Sequence, residues 1–575
     1  MLSAAAAPDT EPATIVASKA SSWRTLSPEK RISFSRYRFS TYRTKILIFD
    51  SARFPALAMR QAETDGAVVK RANLIFICAD QMRYDALSVT GNRVAHTINI
   101  DHIAARGATF HRHFTPNQIC SPSRATMATG LYPRHHGLWR NGVALDERLP
   151  NLWQALARAG YATRGVGKLH FQPLLAPAER DMPESLAYWE RPGSEDWNGP
   201  YFGFDGVDLV MGEANESTRA GHYAAWLRRN HPEVVDLYEP EADGESRADD
   251  LKEVWKSAVP PELHYTSWIA DRAIDFIERQ GRRSEPFGLF VSFPDPHHPF
   301  SPPRPYCDLF RPERMPRPAI RAGELERMPA YLGEGDDPRK EPYIASGEPP
   351  REQGFLVRTD AISGATLATA IAHTHGMIQM IDDAVGRLLE ALADAGVLEN
   401  TYVLFTADHG ELLGDHGLLR KGPPPYRQLL QVPLVLCGPG IPAGTSLDAL
   451  TSHLDLFPTV ASLLGLPAPT SDGVDLTPLI DGRASDVRDF LFAEYHPRRD
   501  QCLYNQSIIS REWRFTRYPN QPAWGELFDL REDPWEHWNL FAEKGFSDRA
   551  HALNAVLDQR LPPRPLIPNE VLGAY

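Results

Sequence analysis

The chain of 575 residues has few cysteines, no long apolar run and no excess of basic residues. Its five cysteines are odd in number and widely separated, so they do not describe a disulfide framework and favour a reducing compartment. No run approaches the roughly 18 apolar residues that are needed to cross a bilayer. The net charge of −13 argues against a general nucleic-acid binder, because such proteins bind phosphate through basic surfaces. We therefore expect neither a nucleic-acid partner nor a membrane partner.

Residues 1–70 differ in composition from the rest of the chain. The apolar start, residues 1–7, is too short for a signal sequence and has no basic segment before it. Residues 13–49 are rich in Ser, Arg and Lys, with Glu29 as the only acid, which is faintly similar to a transit peptide. We interpret residues 1–70 as a disordered or non-native N-terminal extension outside the fold, with Met59 as an alternative start.

From residue 73 onward, apolar runs alternate with amphipathic segments. The run 73–79 ends at Asp80 and has the length and composition of a strand buried on both faces. Further strands are predicted at 161–170, 286–293, 401–411 and 432–437, and helices at 149–160, 268–280, 367–395 and 453–464. This alternation predicts an α/β fold, with helices on both faces of a large, mainly parallel sheet, over residues 71–484.

The last part of the chain has a different pattern. Short strands at 490–494, 506–516 and 526–530 and a helix at 547–559 predict a small C-terminal α+β subdomain over residues 485–575. Two stretches, 176–262 and 301–360, are rich in proline and lack clear periodicity. We interpret them as irregular insertions near the site, where they would influence specificity.

Polar side chains follow several of the predicted strands. Asp80 and Gln81 follow the first strand, and Asp408 and His409 follow the strand that begins at residue 401. Ligands gather at the carboxyl ends of parallel strands, although a carboxylate there is also a common turn former. Oxygen-rich ligands with one imidazole suit Ca²⁺ or Mn²⁺ rather than zinc.

The segment 119–133 contains the pattern Cys-x-Pro-x-Arg, formed by Cys120, Pro122 and Arg124. Its small residues predict a helix that is capped by Ser121 or Ser123 and ended by Gly130 and Pro133. A cysteine at a helix start near an arginine lies in a positive field that suits an anionic group. For a lone cysteine, a structural thiol in a turn is the plainer interpretation.

Taken together, these motifs resemble the sulfatase family. They occur in its order: the strand ending at Asp80, the Cys120 motif, Lys168 with His170, Pro296-His297, Thr406–Glu411, Lys421 and the segment 526–536. The match extends over roughly residues 70–545. The resemblance implies an alkaline-phosphatase-like architecture and a small-molecule sulfate ester as substrate.

The resemblance also implies a modified nucleophile. A formylglycine-generating enzyme would oxidise Cys120 to Cα-formylglycine, and its hydrate would attack the sulfate ester. One divalent ion, Ca²⁺ or Mn²⁺, would be held by Asp80, Gln81, Asp408, His409 and the modified Cys120. The implied roles of the remaining residues are stabilisation of the hydrate by Arg124, neutralisation of the ester oxygens by Lys168 and Lys421, assistance to the hydrate by His170 and protonation of the leaving oxygen by His297.

Gln81 is a departure, because many sulfatases have a second acid at this position. Its neutral amide makes the site less negative and favours Mn²⁺. Together with Asp408 and His409, it is more similar to choline sulfatases and the related phosphonate monoester hydrolases, a branch that is often cytoplasmic, and we expect a cytoplasmic location here. The phosphonate hydrolases have Tyr and Thr where this chain has Lys168 and His170, which favours sulfate monoesters.

Three functional hypotheses follow. The first is a formylglycine-dependent sulfuric ester hydrolase, the second a phosphonate monoester or phosphodiester hydrolase with the same nucleophile, and the third a non-catalytic binding protein. His298 could replace His297, and Asn141 is a turn residue or a site residue with equal support. Asp415 and His416 are assigned structural roles. The sulfated alcohol stays unnamed, and a homo-oligomer is left open.

Overall fold

The computed structural model of the chain describes residues 71–240, 242, 248–329, 356–497, 503–561 and 570–573. The interpretation of residues 1–70 therefore lies outside the described residues, and so does Cys502, one of the five cysteines. None of the helices in these ranges is both long and apolar enough to cross a membrane.

Sixteen strands are present in the described residues. In chain order they are β1 (Asn73–Ala79), β2 (Ala108–Phe110), β3 (His113–Phe114), β4 (Ala162–Gly167), β5 (Gly206–Leu209), β6 (Phe287–Phe293), β7 (Leu356–Arg358), β8 (Thr401–Ala407), β9 (Leu418–Arg420), β10 (Leu434–Cys437), β11 (Thr445–Leu447), β12 (Thr451–Ser452), β13 (Leu491–Tyr495), β14 (Asn505–Ile509), β15 (Trp513–Arg517) and β16 (Gly525–Asp529).

Helices of seven or more residues complete the architecture. They are α1 (Ile98–Ala105), α2 (Cys120–Thr129), α3 (Leu152–Arg158), α4 (Gly221–Asn230), α5 (Tyr265–Gly281), α6 (Gly364–Asp394), α7 (Leu456–Leu463) and α8 (Ser547–Arg560). The longest, α6, begins where Ser363 accepts a hydrogen bond from the backbone N of Thr366, so the helix starts three residues before the predicted Leu367.

The central sheet has eight strands in the order β11-β2-β10-β8-β1-β6-β4-β5. Every pairing is parallel except those of β10, which runs antiparallel to both of its neighbours. The predicted large, mainly parallel sheet is confirmed.

Side chains of β1 alternate between two hydrophobic cores. Ile75 and Ile77 pack in a core with residues of α5 and α6, whereas Phe76 and Cys78 pack in a core with residues of α2 and α3. This alternation is the period of a strand, and a core on each face makes every residue of β1 buried. The continuous apolar run in the sequence is thereby explained.

The smaller sheet is antiparallel, with the order β13-β14-β15-β16, and α8 packs against it through Leu553 and Leu557. The predicted small C-terminal unit is confirmed, while its boundary at residue 485 stays a prediction. The single strand predicted over 506–516 is wrong. It is two strands, β14 and β15, joined by a turn in which the backbone N of Ser510 donates to the carbonyl of Trp513.

The interpretation of residues 176–262 as an irregular insertion is also wrong in part. This stretch contributes β5, which pairs in parallel with β4 at one edge of the central sheet, and the helix α4. The four residues of β5 are too short to show a period, so the sequence offered no strand signal there.

Candidate active site

The candidate site lies at the carboxyl ends of four adjacent strands of the central sheet, β8, β1, β6 and β4. Asp80 directly follows β1, and Asp408 directly follows β8. Lys168 follows β4, and Ser292 lies near the end of β6. Because these strands are parallel neighbours, residues far apart in sequence meet at one edge of the sheet.

Cys120 is the first residue of α2, and its side chain is buried in this edge. The predicted serine cap is wrong, because the helix begins at Cys120, before both serines, and the capping residue, Ile119, has no side-chain acceptor. Ser123 instead donates from Oγ to the carbonyl oxygen of Asp408 at 2.5 Å, which ties the helix to the end of β8. The predicted helix end at Gly130 is confirmed, with φ of 69°.

The thiol of Cys120 is surrounded by charged and polar groups. Its Sγ lies 2.9 Å from Lys421 Nζ, 3.2 Å from His409 Nε2 and 3.8 Å from Asp80 Oδ1. Burial, with a further contribution from Asp80, raises the pKa of Cys120 to about 11. The unmodified thiol is therefore protonated at neutral pH and is a poor nucleophile.

Arg124 joins the two carboxylates of the site. Its Nε donates to Asp408 Oδ2 at 2.8 Å, and its Nη2 lies 3.2 Å from Asp80 Oδ2. Its Nη1 donates to Ser292 Oγ at 2.8 Å and to the carbonyl oxygen of Lys168 at 2.7 Å. The guanidinium thus bonds to groups at the ends of four strands while 1% of its side chain is exposed.

Asp80, Cys120, Asp408 and His409 form a candidate metal centre, since one ligand atom from each lies within 4.8 Å of the others. Burial lowers the pKa of His409 to about 4, so the imidazole is neutral and available as a ligand. Burial opposes ionisation of Asp80, but Lys168, His297 and Arg124 outweigh it and hold its pKa well below the usual range. The carboxylates of Asp80 and Asp408 and one neutral imidazole are ligands that suit a hard divalent ion.

Gln81 lies beside this centre in a left-handed conformation, with φ of 62°. Its backbone N donates to Asp408 Oδ1 at 3.0 Å, and its Oε1 accepts from Lys421 Nζ at 2.9 Å. Its Nε2 donates to Glu411. The amide oxygen thus points towards Lys421, which also contacts Cys120. This oxygen is available as a further, neutral ligand for a metal ion.

Two ammonium groups complete the charge balance. Lys168 Nζ lies 2.7 Å from Asp80 Oδ2 and also pairs with Glu213. Burial disfavours its charged form, but Asp80 and Glu213 outweigh burial and raise the pKa of Lys168. Lys421 Nζ contacts Cys120, Gln81, His297 and His409, each at 2.9 or 3.0 Å. Lys168 is therefore charged, and both lysines face the region around Cys120.

Of the paired histidines, His297 is the one that contacts Lys421, at 3.0 Å through Nε2. His298 turns instead towards Gln81, with 3.1 Å between its Nδ1 and Gln81 Nε2. His170 adopts a left-handed backbone, with φ of 61°, and its backbone N donates to Glu184. Asn141 Oδ1 accepts from the backbone N of Ser121 at 3.2 Å, next to Cys120.

The structure thus brings the predicted site residues into contact with one another, except His170, which follows Lys168 by two residues and makes its described contact through its backbone N. The sequence missed the partners that fix them in place: Glu213 on Lys168, Ser292 on Arg124, Glu411 on Gln81 and Glu184 on His170. Ser292 and Glu411 lie within or next to predicted strand ends and could have been considered there. Glu184 and Glu213 lie in the stretch without periodicity, where no signal was available.

Two models of known protein families match this chain. The family model described as "Sulfatase" matches residues 72–466, and that of "N-sulphoglucosamine sulphohydrolase, C-terminal" matches residues 414–561. The chain belongs to the sulfatase family. The predicted family and the predicted enzyme class, a sulfuric ester hydrolase, are confirmed.

Individual relatives of this sulfatase carry related names. It is 30% identical over 509 residues to "Arylsulfatase" of Clostridium perfringens, covering 85% of this chain and 94% of the relative. It is 27% identical over 500 residues to "Choline-sulfatase" of Rhizobium meliloti, covering 85% and 86%. The crystal structure of the phosphonate monoester hydrolase of Agrobacterium radiobacter aligns with a TM-score of 0.69 and 29% identity, covering 85% of this chain and 95% of that one. The predicted alkaline-phosphatase-like fold is confirmed.

Proposed function

We propose that this sulfatase hydrolyses sulfate monoesters through a formylglycine that a formylglycine-generating enzyme makes from Cys120, with one divalent ion in the site. The observation that supports this most strongly is the position of Cys120 Sγ, which is buried among Asp80, His409 and Lys421. The raised pKa makes the thiol a poor nucleophile, so its position calls for a different chemical group. In this structure Sγ stands in for the oxygens that the modified side chain bears on the same carbon.

Formylglycine, when hydrated, supplies one hydroxyl for attack on sulfur and a second whose oxygen can re-form the aldehyde as sulfate leaves. The chain's own residues orient that group. Arg124 fixes the relative position of Asp80 and Asp408, and α2 presents residue 120 at its positive N-terminal end. Asn141 holds the next residue, Ser121, by its backbone N.

Asp80, Gln81, Asp408 and His409 would hold the ion together with the modified residue 120. The ion would supply Lewis-acid stabilisation of the charge on the ester oxygens. The donor set of two carboxylates, one amide and one imidazole suits Ca²⁺ or Mn²⁺, and the neutral Gln81 favours Mn²⁺.

Lys168 and Lys421 neutralise the non-bridging oxygens of the sulfate, because both ammonium groups lie beside the carboxylate and thiol that mark its position. His297 protonates the leaving oxygen. Burial and Lys421 hold the pKa of His297 well below its usual range in the ligand-free state. The negative charge of a bound ester opposes the effect of Lys421, so the ring gains proton affinity as substrate binds. His170 assists the hydrate.

Removal of the divalent ion tests the proposed metal. Dialysis against a chelator is expected to lower kcat/KM for an aryl sulfate by about 10³-fold, because the ion is proposed to contribute about 4 kcal/mol to transition-state stabilisation. Steady-state kinetics with elemental analysis of the same sample measure this. Addition of Mn²⁺ or Ca²⁺ is expected to restore the rate. Full activity in protein that contains no detectable metal would refute the proposed site.

A phosphonate monoester hydrolase with the same nucleophile is the second candidate, and the alignment with the Agrobacterium radiobacter enzyme favours it. Comparison of kcat/KM for matched aryl sulfate and aryl phosphonate esters separates the two. We expect the sulfate to be preferred by about tenfold or more, equal to about 1.4 kcal/mol, because of the charge at Lys168 and the imidazole of His170. A clear preference for the phosphonate overturns this ranking.

Replacement of Lys168 and His170 tests whether these two side chains cause the preference for the sulfate ester. The double variant Lys168→Tyr/His170→Thr is expected to lose more activity on the sulfate than on the phosphonate ester. Lys252→Met is a matched control, because the side chain of Lys252 is 59% exposed and pairs only with Asp249 at 3.5 Å among the interactions described. Equal losses on both esters would show that these side chains do not select between them.

Two further predictions concern the surroundings of the enzyme. The four cysteines within the described residues, Cys78, Cys120, Cys307 and Cys437, are free thiols and buried. The cytoplasmic location stays a prediction, and the question of a homo-oligomer stays open. The alcohol carried by the sulfate is open to a screen of sulfate esters with the modified enzyme.

A further inference from the structure

A second cluster of metal-ligating side chains lies outside the catalytic centre. Glu324, His416 and His537 come from three separate parts of the chain, and one ligand atom from each lies within 4.8 Å of the others. His416 lies between β8 and β9, seven residues after His409, whereas His537 follows β16. Glu324 belongs to the stretch between β6 and β7. None of the three is used in the proposed reaction.

The polar atoms of this cluster are buried and incompletely paired. His416 is 0% exposed, and among the described residues its ring nitrogens make no well-aligned hydrogen bond, the Gln428 side chain being the polar group that interacts with the ring. Its Nδ1 lies 3.9 Å from Glu324 Oε1, a second buried atom without a hydrogen-bond partner. Buried polar atoms are nearly always paired because an unpaired one destabilises the fold, so two that face each other point to a group between them.

The remaining contacts hold the ligands in place. The His416 ring stacks on Tyr426, with ring centroids 3.7 Å apart and an interplanar angle of 7°. His537 Nδ1 lies 2.7 Å from Glu324 Oε2, which leaves the other carboxylate oxygen directed at His416. The Gln428 side chain interacts with the His416 ring, and its Oε1 is buried and makes no well-aligned hydrogen bond among the described residues.

We propose that Glu324, His416 and His537 bind a zinc ion at a structural site that is separate from the catalytic metal. Two imidazoles and one carboxylate are a zinc donor set, and bonds of about 2.0–2.2 Å to each place the ligand atoms within about 4 Å of one another. Here the ligand atoms lie within 4.8 Å of one another, and His416 Nδ1 is 3.9 Å from Glu324 Oε1. Gln428 Oε1 or a water molecule takes the fourth position. The side chain of His537 is 16% exposed and gives the ion a route from solvent.

Such an ion would fasten the segment 319–327, which contains Glu324, to the segment between β8 and β9 and to the residues that follow the C-terminal sheet. That stretch already contacts both: the backbone N of His416 donates to the carbonyl of Ala319 at 3.1 Å, and Asn539 Nδ2 donates to the carbonyl of Arg327 at 2.9 Å. Arg327 also lies over the Trp538 ring at 3.6 Å. The site therefore links three chain segments, one of which leads through β9 to Lys421.

Zinc titration of chelator-treated, full-length protein tests the proposal, with calcium in excess to occupy the catalytic centre. Calorimetry with ZnCl₂ is expected to show one more bound zinc ion in the wild type than in His537→Gln. His551→Gln is the matched control, because His551 is an exposed histidine on α8 in the same C-terminal region. Zinc is also expected to raise the Tm of the wild type and of His551→Gln, but not that of His537→Gln.

Equal zinc stoichiometry in His537→Gln and His551→Gln would overturn the proposal. Far-UV circular dichroism establishes whether His537→Gln is folded. If it is not, Glu324→Gln takes its place, because its amide keeps the shape of the carboxylate and can still pair with His537. Loss of one zinc ion in Glu324→Gln supports the site, and an unchanged stoichiometry contradicts it.

Discussion

Replacement of Cys120 by alanine lowers kcat/KM for an aryl sulfate by about 10⁴-fold or more, the scale of loss when a covalent nucleophile is removed. The reason is that residue 120 lies at the point where Asp80, His409 and Lys421 converge, and it is the residue proposed to carry the formylglycine. Steady-state kinetics on the purified variant measure the loss. Cys437→Ala is the control, since it removes another buried thiol, on β10, and is expected to keep the activity per folded molecule.

Cys120→Ser distinguishes a nucleophile from a merely structural residue. A serine hydroxyl can be sulfated but has no second hydroxyl with which to expel the sulfate. We expect one equivalent of alcohol to be released per enzyme molecule, followed by arrest. Continued turnover by Cys120→Ala, at a rate near that of the wild type, would exclude residue 120 as the nucleophile.

Replacement of Arg124 by methionine has the second largest expected effect. In metal-free protein it leaves Asp80 and Asp408 buried without their shared guanidinium, and we expect the free energy of unfolding to fall by about 3–5 kcal/mol. Activity is expected to be lost as well, because the two carboxylates no longer hold their relative position. Urea unfolding after chelation measures the first effect, and kinetics with added metal measure the second.

Arg148→Met is the control for this experiment. Arg148 also pairs with an aspartate, Asp146 at 2.7 Å, but its side chain is 90% exposed. Water and salt screen an exposed pair of this kind, so the variant is expected to unfold like the wild type. If Arg124→Met were as stable as Arg148→Met, the buried network would not be what holds the site together.

The sequence predicted the catalytic edge of the sheet well, for a physical reason. A strand buried on both faces is a continuous apolar run, and the polar residue that follows it marks the carboxyl end of the strand, as at Asp80 and Asp408. Parallel packing then places such ends side by side. The antiparallel direction of β10 could not be predicted, because nothing in its short sequence indicates the direction of the strand. The motif at Cys120 was found because cysteine, proline and arginine stand together in the sequence at the spacing Cys-x-Pro-x-Arg.

Other features depend on contacts that are formed only in the folded chain. The strand β5 and the residue Glu213 belong to a stretch without periodicity, so neither the edge of the sheet nor the partner of Lys168 could be predicted. The serine cap was predicted from local preference, but Ser123 is used by the carbonyl oxygen of Asp408 instead. Tertiary hydrogen bonding decided this case against the local rule.

The chemical identity of residue 120 decides whether Cys120 provides the nucleophile, and it can be measured directly. Protein purified from its native host is digested, and the peptide that contains Cys120 is analysed by mass spectrometry. We expect the thiol sulfur to be lost and an aldehyde to be present, which a hydrazine reagent captures. A catalytically active sample in which this peptide retains a free, alkylatable thiol throughout would contradict it.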